Sequence, residues 1–80
     1  MTWHPATSAD GKPSSHLKEF AHQHGRLYIR FQNGSVHSYP APEEFVHHMK
    51  MAPSCGVFFN QFVKPRRHQR HEEMEGKNDV

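Results

Sequence analysis

Nine histidines and one cysteine in 80 residues are the first side chains to ask chemistry of. His22-x-His24 would set two imidazoles on one face of a strand, and His68-x-x-His71 would do the same on a helix. A zinc centre needs four convergent ligands, or three and a water. The two pairs lie in different segments, with no second cysteine and no HExxH motif, so the pattern favours solvated surface histidine. Cys55 lies at a helix start, where a thiol pKa can fall, but no base stands beside it in sequence. It reads as a small buried filler. Glu43 and Glu44, the paired carboxylates of the folded part, suit the positive end of a helix rather than acid–base work. Enzymatic chemistry, a metal and a cofactor are therefore not expected.

A different chemistry lies in Arg26 to Pro40, "RLYIRFQNGSVHSYP". Aromatic side chains on a sheet can stack unpaired bases, and arginine adds stacking and phosphate contacts. Tyr28, Arg30, His37 and Tyr39 are the candidate nucleic-acid-binding face, with Lys64, Arg66 and Arg67 of the basic cluster beside them. Arg70 extends that cluster, and Glu72, Glu73 and Glu75 follow and offset it.

That face depends on a hairpin. Asn33-Gly34 between two β-rich runs predicts a two-residue type I′ turn. Such a turn sets Phe31 against Val36, Arg30 against His37, Ile29 against Ser38 and Tyr28 against Tyr39. Alternation then gives Leu27, Ile29, Phe31 and Val36 to the core and Tyr28, Arg30, His37 and Tyr39 to the other face. The structural alternative is plain: cross-strand aromatic and cationic pairs also stabilise a hairpin with no ligand at all.

Upstream, Leu17 to His22 has the spacing of either a short helix capped by Ser14 or Ser15 or a short strand. Downstream, Pro42 with Glu43 and Glu44 starts a helix whose apolar face is Phe45, His48, Met49 and Ala52, stopped by Pro53. Ser54 caps a second short helix carrying Phe58, Phe59, Phe62 and Val63, ended by Pro65. One domain is expected over 13–65, with a flexible arm at 1–12, where Trp3 alone is worth watching, and a charged, disordered tail at 66–80.

The formal net charge of +2 and 34% hydrophobic content describe a polar, mildly basic chain. The mean hydropathy is −0.95. Its one cysteine excludes an internal disulfide framework, which points to a reducing, cytoplasmic setting. No apolar run approaches the roughly 20 residues that span a bilayer, and Met1 to Asp10 lacks the order of a signal peptide. So small a domain buries only about 60% of its unfolded surface, so a partner or a homodimer would add stability.

"SSHL", "LYIRFQNGSVHSY", "P..F" and "APSCGVFFNQFVK", taken in that order over Ser14 to Lys64, resemble a KTSC domain. That short domain occurs at the C-terminus of some lysyl-tRNA synthetases and as free-standing small proteins of bacteria and their phages. The resemblance implies a strand over Leu17 to His22, and hence an α+β domain: a three-stranded antiparallel β-meander followed by two short helices. The family has no established activity, and RNA binding has been suggested for it. His37 stands where the first tyrosine of a Tyr-x-Tyr motif would be, and His22-Gln23 where a Tyr-Asp pair is common. Two functions follow as expectations. One is a non-enzymatic module binding RNA or single-stranded nucleic acid. The other is a protein-interaction module, such as a phage-type accessory protein or inhibitor docking on a host complex.

Overall fold

A computed structural model of the chain describes residues 1–75. It is an α+β domain built on a five-stranded antiparallel sheet in the order β1-β2-β3-β4-β5, rather than the expected three. The strands are β1 (His4–Pro5), β2 (Leu17–Gln23), β3 (Arg26–Phe31), β4 (Val36–Pro40) and β5 (Gln69–Arg70). Between β4 and β5 come α1 (Glu44–Met51) and α2 (Cys55–Phe58), the latter continued by a π-helical turn, Phe59–Val63. A 3₁₀ turn, Glu72–Met74, follows β5.

The two added strands come from the ends. The expected loose arm is ordered: β1 pairs with β2, and Ala6 is buried in the core. The expected disordered tail is ordered as far as Glu75: Gln69 and Arg70 pair with Ser38 and His37, and His71 is buried. Two-residue strands carry almost no period-2 signal, so neither was legible locally. The part of the tail at 76–80 lies outside the described residues.

Leu17 to Gln23 is a strand, not a helix. Ser14 Oγ accepts from the His16 and Leu17 amides and so squares off the chain before β2. The next connection is where a type I′ turn occurs. His24 and Gly25 both have positive φ, 54° and 77°, and join Gln23 to Arg26 directly.

The turn expected at Asn33-Gly34 is of another kind, and the difference matters. Gly34 alone has positive φ, at 92°. The Gly34 amide donates to the Phe31 carbonyl and the Phe31 amide to the Ser35 carbonyl, both at 2.9 Å. Asn33 Oδ1 accepts from the Ser35 amide at 2.9 Å, which holds the loop in this form. The loop thus has three residues, Gln32 to Gly34, in the type I plus glycine-bulge pattern. Arg30 opposes Val36, Ile29 opposes His37, Tyr28 opposes Ser38 and Leu27 opposes Tyr39. A one-residue slip sends every side chain of a strand to the other face. The predicted face of Tyr28, Arg30, His37 and Tyr39 is therefore divided between the two sides of the sheet.

The helices cover the side bearing Leu27, Ile29, Phe31 and Tyr39. Phe20, Leu17, Met49, Phe59 and Val63 fill the space between, all essentially without solvent exposure. Phe59 packs edge-on against both Tyr39 and Phe31, with ring centroids 5.4 Å and 5.6 Å away. Met49 on α1 and Ala52 just after it are buried as expected, but His48 is exposed and only Phe45 of the remaining pair packs inward. Ser54 Oγ accepts from the Val57 amide and caps α2 as expected.

Candidate nucleic-acid interface

Alternation in β5 positions the site. His68, just before the strand, and Arg70 fall on the helix-covered side, while Gln69 and His71 fall on the other. An odd spacing therefore separates His68 from His71, which a helix would have placed together. His22 and His24 do not converge either: His22 Nε2–H donates to the Ala41 carbonyl at 2.7 Å, and His24 sits exposed in its turn. Among the described residues no group of three histidines, cysteines or carboxylates is placed to hold a metal ion.

On the helix side, where α2 and its π-helical turn stop short of the β3–β4 loop, a cleft of about 570 Å³ remains. That volume is within the range of small-ligand sites, about 300–1,000 Å³. His37 and Tyr39 form its floor with Phe31, and His16, Lys64 and His68 stand around it. The rings pack in a chain: His16 to Phe31 at 5.1 Å, Phe31 to His37 at 5.5 Å, His37 to His68 at 5.0 Å, and His68 to Tyr39 at 5.8 Å. No carboxylate is among the described residues lining it.

Burial, then His68, then Arg70, hold the His37 pKa below its ordinary 6.5, with His71 adding to the effect and Glu75 opposing it. The same burial pushes the Tyr39 phenol upward, so it stays a hydroxyl donor. His37 is thus a neutral imidazole that an arriving anion would help to protonate.

The other side of the sheet holds Tyr28 and Arg30, and the C-terminal segment closes over both. Tyr28 packs at a tilt against His71, with centroids 4.9 Å apart. Arg30 donates to Glu19 at 2.8 Å and to the Met74 carbonyl at 3.0 Å, and lies over the Trp3 ring at 4.8 Å. Beneath them Arg26 Nε donates to Ser38 Oγ, which lies 2.7 Å from His71 Nε2. His71 Nδ1–H faces Glu73, so Nε2 accepts from the Ser38 hydroxyl. Ser38 has no solvent exposure, and this serine–histidine–carboxylate row acts as a fastening for the segment.

Of the predicted site residues, the cleft gathers His37, Tyr39 and Lys64. It excludes Tyr28 and Arg30. Arg66 is spent on the Phe62 and Pro40 carbonyls and on the Phe45 ring, and Arg67 is exposed beyond the cleft. His16, Phe31 and His68 belong to the cleft and were missed. Phe31 packs against the core, as its alternation predicts, and also lines the cleft, while His68 depends on a strand too short to read.

Cys55 is buried, its thiol donating to the Thr7 and Met49 carbonyls, and burial pushes its pKa up. A second groove, about 660 Å³, is apolar and lies along α1 and α2. Met51, Val57 and Phe62, on its border, are 62%, 54% and 53% exposed.

The segments that bring Ser15, His37 and Tyr39 to one cleft are those carrying the family motifs. The family model of the KTSC domain matches residues 13–66 of the 80. The chain belongs to the KTSC-domain family. No curated protein and no solved structure matches it. Around the matched KTSC core, the structure adds β1 before it and β5 after it, and the latter delivers His68 to the cleft. No helix among the described residues is long and apolar enough to cross a membrane.

Proposed function

We propose that this KTSC-family chain is a non-enzymatic binding module that takes unpaired RNA in the cleft of His37, Tyr39, Lys64 and His68. One observation carries the reading: aromatic rings and cationic groups converge on a concavity with no carboxylate among its described lining residues. Rings of that kind stack a base, and the Lys64 ammonium and the two imidazoles donate to phosphate oxygens. Stacking worth about 1–3 kcal/mol per base, on so few rings, gives micromolar affinity at best.

The test is a fluorescence anisotropy titration with labelled single-stranded RNA at low salt, from mildly basic to acidic pH. A bound phosphate raises the His37 pKa, so binding takes up a proton. Affinity therefore rises as pH falls, and levels off below the His37 pKa of the free protein, which itself lies below 6.5. Lys64→Ala and His68→Ala, both at exposed positions, weaken binding without unfolding the chain. Affinity that ignores both pH and these substitutions refutes the reading. The second reading, docking on a protein complex, draws on the exposed Met51, Val57 and Phe62, and replaces the first if no RNA binds at low salt.

A further inference from the structure

We infer that the cleft takes a single phosphorylated nucleotide, as a chain end or free, and not a strand running across the surface. The inference rests on the reading of the cleft as a nucleotide site and is carried by where the cations point. A groove that follows a strand needs a file of unengaged positive charges along it. Here four of the five arginines are engaged within the chain. Arg26 is held by Ser38, Arg30 by Glu19 and the Met74 carbonyl, and Arg66 by the Phe62 and Pro40 carbonyls. Arg70 makes two bonds to Glu75, each 3.0 Å. What remains at the cleft is Lys64 with the imidazoles of His16, His37 and His68.

The walls agree with the charges. The β3–β4 loop borders the cleft through Gln32, Asn33 and Ser35, while Lys64 comes from the end of the π-helical turn and His68 from just before β5. One base can lie against the partly exposed Phe31 ring, with the buried Tyr39 beneath, and its phosphate among Lys64, His37 and His68. A phosphate monoester suits that cluster better than a diester, because its second charge is available to a second imidazolium.

The experiment is competition against labelled single-stranded RNA by uridine monophosphate, adenosine monophosphate and the unphosphorylated nucleosides. A series of oligonucleotides from dimer to dodecamer, with and without a terminal phosphate, runs alongside. The expected result has four parts: mononucleotides displace the RNA completely, nucleosides do not, affinity is flat with length, and removing the terminal phosphate costs about tenfold. The salt slope corresponds to one or two phosphates at about 0.7 each. His68→Ala weakens mononucleotide binding by a similar factor. Mononucleotides that bind while phosphorylated chain ends do not identify the free ligand as the source; equal binding identifies either. Affinity that climbs with length, with a steep salt slope and no mononucleotide competition, overturns this inference and leaves the cleft as an RNA site. Absence of binding by RNA and mononucleotide alike overturns both.

Discussion

Phe58 and Phe59 are adjacent in sequence and unequal in place, and replacing each with alanine separates the packing account from a generic one. Phe59 is 2% exposed and holds two edge-on ring contacts, with Tyr39 and Phe31, that also support the floor of the cleft. Phe→Ala in a core costs about 3–5 kcal/mol, and edge-to-face pairs worth about 0.5–1.5 kcal/mol each put Phe59 at the upper end. A chain this short has a total stability of only about 4–12 kcal/mol, so Phe59→Ala removes much of it. Phe58 is half-buried among Phe45 and Phe62, at 5.6 Å and 5.0 Å, and borders the apolar groove. Losing it costs about 1–2 kcal/mol, a fall in Tm of about 5–15 °C. Thermal melts and urea titrations of the two variants read the difference. Equal losses, or a larger loss for Phe58→Ala, would refute the assignment of Phe59 to the core.

Gly34→Ala forces a side chain into positive φ although the space around it is open, and costs about 1–2 kcal/mol in a urea titration. Ser38→Ala takes the partner from the buried His71 Nε2 and from the half-buried Arg26 Nε, and costs about 1–3 kcal/mol by the same assay. Glu75 is held at about 2, against an ordinary 4.5, first by its bonds to Arg70 and then by the Val36 amide. A depressed carboxylate stabilises above its unfolded pKa, so the fastening of the C-terminal segment weakens as pH falls from 4.5 toward 2; the protection of the Val36 amide, its exchange rate taken against the intrinsic rate at each pH, falls over that window. The lowered pKa of His37 acts in the same direction at milder pH: stability declines as pH drops below 6.5, and His37→Gln flattens that part of the urea midpoint profile.

The class of the fold and its middle were legible because their signals are local. Pro42 with two glutamates, Ser54 as a cap and alternation in Leu27 to Phe31 each name an element without help from elsewhere. The ends were not legible, since β1 and β5 exist only through pairing with strands distant in sequence. The site was half legible for a sharper reason. Asn-Gly supports both a two-residue turn and a three-residue loop, and the choice between them lies in whether Asn33 turns its side chain onto the Ser35 amide. That one bond decides the register of β4. It moves His37 and Tyr39 to the helix side, away from Tyr28 and Arg30, and so turns an exposed aromatic sheet face into a walled cleft. Of the four hairpin residues of the candidate face, the structure brings His37 and Tyr39 to the cleft and leaves Tyr28 and Arg30 on the other side of the sheet.

The most direct measurement is residue-resolved NMR of the full chain titrated with single-stranded RNA at low salt and mildly acidic pH. The account predicts shift changes at His16, Phe31, His37, Lys64 and His68, with Tyr28, Arg30 and the apolar groove unmoved. Changes centred on Met51, Val57 and Phe62, or on Tyr28 and Arg30, or no changes at all, would contradict it.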